Sequence, residues 1–278
     1  MLKKHLIRSG IFGYGCMMLL PNPAEVRSQA TQSTRTTFLV ASAMDTSIQA
    51  INADTPRIFS AAITAAAPAL RLNRQASEFV TKYLQRETEF LVKTRARSAV
   101  YFRIIDRVFE QYGLPLELRY LAVVESDLKP TAKSRMGARG LWQLMPETGR
   151  DYGLKVNGSV DERTHSYKST VAAAKYIKGL YAEFNDWLLV VAAYNGGVGS
   201  VRKAIRKSGS KSFWALQRYL PKESQAHVKR YIATHVFFEG KPGATTVTRN
   251  EFASYKKLLD AYYAGLTPAS ADSLVAIK

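Results

Sequence analysis

The sequence has almost no cysteine and far fewer acidic than basic residues. Its 278 residues include a single cysteine, so no disulfide can form within the chain. It holds 22 Asp and Glu against 40 Lys and Arg, a formal net charge of +18. Such a balance favours a polyanionic partner, which leaves three classes: nucleic acid, an anionic membrane surface, or an acidic polymer such as a cell-wall glycan.

The hydrophobic run near the N-terminus, Ile11–Leu20, is short and follows three basic residues. This layout is typical of a secretory signal and is too short for a transmembrane helix. We therefore predict a signal peptide over residues 1–30 and an exported protein of the periplasm or cell envelope. Cys16 lies inside the apolar run, so we favour plain export over a lipid anchor at this residue. Export weighs against a nucleic-acid partner.

An alternating strand pattern is also lacking, apart from the short segment "GATTVT" at 243–248. Residues 31–72 are rich in Ala, Ser and Thr and are predicted to be a weakly structured linker. From there on, apolar residues recur at helical spacing. We predict a mainly α fold, with an N-terminal helical extension over 73–112, a domain of catalytic size over 113–240 and a C-terminal helical tail over 241–278.

The segment "LELRYLAVVESDLKP" places a glutamate at the end of an apolar run. Leu114, Leu121 and Glu125 recur at the spacing of one face of an amphipathic helix, so Glu125 is predicted to lie on a buried face. Burial and the C-terminal end of a helix both favour the neutral form of a carboxyl group. The alternative is a salt bridge to a buried arginine. Asp127 is predicted to be solvated and to point to nearly the opposite side.

Two later segments also carry polar side chains. The first, "GLWQLMP" at 140–146, places them in a glycine-rich turn, and the second, "AAYNGG" at 192–197, places them at the end of an apolar helix. Gln143 offers an amide that both donates and accepts, and Tyr194 and Asn195 offer a phenol and a second amide. Around a glutamate, such groups suit a sugar site. Apolar faces hold the rings, amides contact hydroxyl and N-acetyl groups, and a neutral acid protonates the glycosidic oxygen.

The order of these motifs resembles that in the lytic transglycosylases of family 1, whose SLT domain belongs to the goose-type-lysozyme-like superfamily. The resemblance is strongest to the membrane-bound lytic murein transglycosylase D group. The family's "ES", "GL-x-Q-x-MP" and "AYN-x-G" motifs appear as Glu125–Ser126, Gly140–Pro146 and Ala193–Gly197, and a looser "LP-x-E-[ST]" appears as Leu220–Ser224. The resemblance covers roughly residues 73–240 and implies a lysozyme-like α-helical catalytic domain.

The resemblance also implies the chemistry. Glu125 would be the single catalytic acid and base, first protonating the leaving oxygen and then deprotonating the 6-hydroxyl of N-acetylmuramic acid. The product would be a 1,6-anhydro end. The side chains implied to line the groove for peptidoglycan strands are Ser126, Gln143, Met145, Tyr194, Asn195 and Glu223. Many relatives have a tyrosine four residues after the glutamate of the fourth motif, where this chain has His227.

A metal site on the last motif-bearing segment is one alternative. Polar residues recur there at intervals of four: Glu223, His227, Tyr231, His235 and Glu239. The two histidines would stand about 12 Å apart along a helix axis, too far to share an ion. No His-Glu-x-x-His motif or cysteine pair completes a zinc site, so we expect neither a metal nor a cofactor.

Two further alternatives keep the substrate and change the chemistry. A muramidase would hydrolyse the same bond with water, and a non-catalytic module would only bind peptidoglycan. The presence of Glu125 disfavours the module. The stretch 202–230 carries nine Lys and Arg and one acidic residue, Glu223. Because export is predicted, we expect this basic stretch to attract peptidoglycan and not nucleic acid. Association with the membrane or the cell-wall surface is a further possible role of the charge.

Overall fold

A computed structural model describes residues 67–266, and this part of the chain is mainly helical. The helices are α1 Arg74–Tyr112, α2 Tyr120–Ser126, α3 Pro146–Asp151, α4 Ser166–Phe184, α5 Trp187–Gly196, α6 Val198–Ser208, α7 Phe213–Leu216, α8 Lys222–Glu239 and α9 Arg249–Leu266. Between 67 and 266 only isolated β-bridges occur, and no strand forms. The predicted mainly α class is confirmed.

Several predictions concern the two ends of the chain. The signal peptide, the question of a lipid anchor at Cys16 and almost all of the predicted linker lie outside the described residues, as does the end of the predicted C-terminal tail. Within the described part of that tail, α9 is helical. No helix in the described part is both long and apolar enough to cross a membrane.

Helix α1 is one continuous segment of 39 residues. It begins where the side chain of Asn73 accepts a hydrogen bond from the amide of Ala76 at 3.0 Å, and it ends at Gly113, whose left-handed backbone (φ 65°) stops the helix. Its buried residues Ile105 and Phe109 belong to the same core as the later helices. The segment predicted as an N-terminal extension thus packs along α4 and α8.

Helix α5 is the buried centre of the fold. Residues 188–193 are all fully buried, because the helix is apolar on every side and α4, α6 and α8 pack around it. Asp186 caps its first turn by accepting hydrogen bonds from the amides of Leu188 and Leu189 at 3.0 and 3.2 Å. The rigid surroundings of α5 place its last residues, Tyr194 and Asn195, at a defined position.

The segment with the buried glutamate forms a 3₁₀ turn, Leu116–Arg119, followed by the short helix α2. The helix ends at Asp127, which has a left-handed backbone with φ 55°. The prediction of a solvated Asp127 is wrong. Its side chain is 14% exposed and forms ion pairs with Arg97 and Lys129, because α1 passes behind the end of α2.

Candidate active site

Glu125 lies on the last turn of α2, and only 13% of its side chain is exposed. Its Oε1 is 2.8 Å from Nε2 of His227 on α8. The partly buried position agrees with the helical spacing, while the alternative of an arginine partner is wrong. The carboxyl group is therefore paired with an imidazole, whose charge depends on its protonation state, and not with a permanent cation.

His227 was not predicted as a partner of Glu125. It is 2% exposed and sits on the face of α8 that contacts α2. Its Nε2 is bonded to Glu125, while its Nδ1 is buried and has no hydrogen-bond partner among residues 67–266. The signal that points to it is its position, four residues after the glutamate of the fourth motif, where the resemblance places a tyrosine.

The glycine-rich turn packs closely against Arg163. Gly140 has φ 84°, and a Cβ atom built on it would lie 1.9 Å from the carbonyl oxygen of Arg163. The buried guanidinium of Arg163 donates from Nη1 to the carbonyl oxygens of Gly137 and Leu144, at 2.7 and 2.9 Å. The same side chain pairs with Asp161 at 2.7 Å, and this hydrogen bond lowers the pKa of the Asp161 carboxyl. Arg163 thus stabilises the turn.

Gln143 lies within the turn with a left-handed backbone, φ 44°, which is uncommon for a residue with a side chain. Its Nε2 donates to the carbonyl oxygens of Gly140 and Ala132, at 2.9 and 3.2 Å. The amide nitrogen of Gln143 therefore stabilises the turn. Met145 follows at the start of α3 with 39% of its surface exposed, which leaves an apolar side chain open to solvent.

Ser126 links the acid-bearing helix to this turn. It is buried, and its hydroxyl lies 2.8 Å from the carbonyl oxygen of Leu141 and 3.2 Å from that of Ala122, one turn earlier in α2. A hydroxyl has one hydrogen to donate, and the shorter contact is the one to the turn. Ser126 thus holds the end of α2, with Glu125, against the glycine-rich segment.

Tyr194 links the same turn to α5. Its hydroxyl donates to the carbonyl oxygen of Trp142 at 2.8 Å, and its ring centroid is 5.2 Å from that of Tyr176. Burial, followed by the nearby charge of Glu125, raises the pKa of Tyr194 well above its usual value. Burial, Tyr152 and Glu125 raise the pKa of Tyr176 to about 12. Both phenols therefore keep their protons near Glu125 at neutral pH.

Asn195 connects α5 to the beginning of α8. Its Oδ1 accepts a hydrogen bond from Ser224 at 2.8 Å. A Cβ atom on the neighbouring Gly196 would come within 2.4 Å of the same hydroxyl, so a side chain there would disturb the contact. Glu223 accepts a hydrogen bond from Arg230 at 2.6 Å, and among the described residues it pairs with this arginine and not with a group at Glu125.

The site as a whole is a single partly buried carboxyl group held between three segments. Helix α8 supplies the imidazole, the glycine-rich turn is fastened to α2 through Ser126, and α5 contributes Tyr194. Direct contact with Glu125 is seen for His227, while Gln143 and Asn195 are engaged with neighbouring protein groups. A carboxyl group in such surroundings is suited to transfer a proton to and from a bound molecule.

The fold falls in the lysozyme-like helical class. The structure is similar to the complex of the 70-kDa soluble lytic transglycosylase with bulgecin A, with a TM-score of 0.50 and 20% sequence identity, over 65% of this chain and 33% of that one. A likeness at this identity shows the fold alone. It confirms the predicted lysozyme-like architecture.

A family model matches the part of the chain that carries most of the motifs. Residues 105–217 match the family model described as "Transglycosylase SLT domain". This match covers less than half of the chain, and it confirms the resemblance that the ordered motifs carry.

Two curated relatives illustrate the similarity. Over 166 residues the chain is 39% identical to membrane-bound lytic murein transglycosylase D of Escherichia coli K12, a match that covers 58% of this chain and 36% of the relative. Over 118 residues it is 37% identical to peptidoglycan transglycosylase gp16 of Escherichia phage T7, covering 41% of this chain and 9% of the relative. The chain thus spans about a third of the length of the transglycosylase D relative.

Proposed function

We propose that the protein is a peptidoglycan lytic transglycosylase that cleaves the β-1,4 bond between N-acetylmuramic acid and N-acetylglucosamine without water. The observation that carries this proposal is Glu125, a partly buried carboxyl group at the meeting point of the three motif segments. The SLT domain and the names of the relatives, which act on murein or peptidoglycan, support the substrate class.

In the first step, the neutral carboxyl group of Glu125 donates its proton to the glycosidic oxygen. The bond between this oxygen and the anomeric carbon breaks, and its electron pair leaves with the oxygen. The N-acetyl group of the muramic acid shields the positive charge that develops at the anomeric carbon.

In the second step, the carboxylate of Glu125 accepts the proton of the muramic acid's own 6-hydroxyl. The oxygen of that hydroxyl bonds to the anomeric carbon, closes the 1,6-anhydro ring and returns Glu125 to its acid form. One carboxyl group is sufficient because the acid and base steps follow each other. A hydroxyl held against the anomeric carbon also has a far higher effective concentration than free water.

The remaining predicted residues have supporting roles in this proposal. Ser126 and Tyr194 fasten the turn, and the exposed side chain of Met145 offers an apolar surface to a sugar ring. Gln143 Nε2 and Asn195 Oδ1 are bonded within the protein, so Gln143 Oε1 and Asn195 Nδ2 are the atoms that contact hydroxyl and N-acetyl groups of the glycan. Glu223 borders the groove beside its partner Arg230. The net charge of +18 favours attraction to a wall polymer that carries carboxylates.

We also propose that the protein acts in the cell envelope. The predicted signal peptide supports export, and the relative named membrane-bound lytic murein transglycosylase D supports action at the wall. A muramidase that hydrolyses the same bond is the competing function, and the product distinguishes the two.

Replacement of Glu125 with Gln tests the catalytic assignment. The amide keeps the shape of the carboxyl group but cannot exchange the proton, so we expect wall lysis to be abolished and binding to insoluble peptidoglycan to persist. The matched control is Glu89→Gln, the same chemical change at an exposed site of α1, where lysis should be unchanged. Activity above a trace in a folded Glu125→Gln protein would show that another group is the acid.

A further inference from the structure

The contact between Glu125 and His227 is the closest polar interaction of the proposed acid. At position 227 the resemblance places a tyrosine, and this chain has a histidine instead. Oε1 and Nε2 are 2.8 Å apart, and His227 is almost completely buried. We propose that His227 is a positioning residue whose Nε2–H donates to Oε1, leaving Oε2 to exchange the proton with the glycan. This inference rests on the proposed function.

The surroundings of the imidazole decide which nitrogen carries the proton. Nδ1 is buried and has no hydrogen-bond partner in the described part of the chain. A proton on Nδ1 would be a buried donor without an acceptor, which is unfavourable. Nε2 would then be an acceptor and would draw the proton of Glu125 towards His227, away from the glycan. The tautomer with the proton on Nε2 avoids both consequences.

This tautomer serves both steps of the proposed reaction. In the acid state, Nε2–H donates to the carbonyl oxygen Oε1, and the proton to be transferred is on Oε2. The O–H bond at Oε2 breaks as the leaving oxygen takes that proton. In the base state, Nε2–H donates to the carboxylate, and Oε2 accepts the proton of the 6-hydroxyl. His227 keeps its own proton throughout, so it orients the reacting group without exchanging protons with the substrate.

The packing of α8 fixes the imidazole for this role. The next residue, Val228, and Tyr231 one turn further on are fully buried in the core. Ser224, one turn earlier, is bonded to Asn195 at the end of α5. Because α8 is held on both sides of His227, the ring cannot turn away from Glu125 without disrupting the core. A carboxyl group supported in this way keeps one orientation, as proton transfer requires.

A matched pair of variants separates the hydrogen bond from the shape of the side chain. Gln has an amide that can replace Nε2–H as a donor, while Met has nearly the same length and no donor. We expect His227→Met to lower kcat by about ten- to hundredfold, which corresponds to the loss of one hydrogen bond to a charged group, with KM nearly unchanged. His227→Gln should recover most of kcat. Circular dichroism of both variants establishes that they are folded.

Equal kcat values for the Gln and Met variants, or a loss confined to KM, would overturn the positioning role. If the wild-type protein does not cleave peptidoglycan, the proposed function fails, and a second measurement still decides the hydrogen bond. Nitrogen NMR of the full chain with ¹⁵N-labelled histidine, with the His227 signals assigned by their loss in His227→Gln, reports the tautomer. We expect a protonated Nε2 and a bare Nδ1 at neutral pH. A protonated Nδ1 with a bare Nε2 would overturn the inference.

Discussion

Replacement of Gly140 with Ala tests whether the glycine-rich turn is held by the close approach of the Arg163 backbone. A Cβ atom at this position would lie 1.9 Å from the Arg163 carbonyl oxygen, far inside a van der Waals contact. The oxygen cannot easily move, because the Arg163 side chain is bonded to Gly137, Leu144 and Asp161. The substitution must therefore displace the turn or the backbone that follows Asp161.

Gly137 provides a matched control in the same turn. Its φ of 88° is close to the 84° of Gly140, but a Cβ atom there would meet nothing within 4 Å. Both substitutions carry the strain of a side chain at positive φ, about 1–3 kcal/mol. Only Gly140→Ala adds a steric overlap, and overpacking a site of this kind costs about 1–3 kcal/mol of further unfolding free energy. The expected losses of unfolding free energy are thus about 1–3 kcal/mol for Gly137→Ala and about 2–6 kcal/mol for Gly140→Ala.

Urea unfolding followed by circular dichroism measures both values. Peptidoglycan lysis should fall more in Gly140→Ala than in Gly137→Ala, because the turn leads to Gln143 and Met145. Equal destabilisation of the two variants would mean that the contact between Gly140 and Arg163 does not hold the turn, and the account of the glycine-rich segment would be refuted.

Two further predictions concern the groups that fasten the turn. Tyr194→Phe removes the hydrogen bond to the Trp142 carbonyl oxygen. We expect it to lower the unfolding free energy by about 1–3 kcal/mol and to slow turnover. A folded variant with the wild-type rate and stability would contradict this prediction. The hydrogen bond from Arg163 lowers the pKa of Asp161 in the folded protein below its value in the unfolded chain. The pair therefore stabilises the fold fully above about pH 4, the pKa of an unperturbed aspartate. This stabilisation is lost as the pH falls through the pKa of Asp161 in the folded protein. The difference in unfolding free energy between wild type and Asp161→Asn should therefore be largest near neutral pH and shrink in acid, whereas a difference independent of pH would argue against the ion pair.

The helical parts of the fold and the position of Glu125 could be predicted because they depend on local periodicity. The spacing of Leu114, Leu121 and Glu125 indicates a buried face, and the structure buries most of the Glu125 side chain. The run that forms α5 is apolar on every side, and its residues 188–193 are buried as expected for such a helix. Such patterns can be recognised from neighbouring residues in the sequence alone.

The partners of the site could not be predicted because they depend on how distant segments pack. His227 and Glu125 are 102 residues apart, and their contact exists because α8 packs against α2. Arg163 stands in a polar stretch with no local signal, although it stabilises the turn around Gly140. The helical pattern of α2 alone does not reveal the partners of Asp127, which are Arg97 on α1 and Lys129 in the loop after α2.

The product of peptidoglycan digestion tests the central claim most directly. If Glu125 works alone and the 6-hydroxyl captures the anomeric carbon, mass spectrometry should find muropeptides that end in 1,6-anhydro-N-acetylmuramic acid, each lighter by one water than the hydrolysed form. Digestion in oxygen-18 water should leave these ends unlabelled. Mainly labelled reducing ends would contradict the account and identify a muramidase. Binding of wall fragments without any cleavage would leave only a peptidoglycan-binding module.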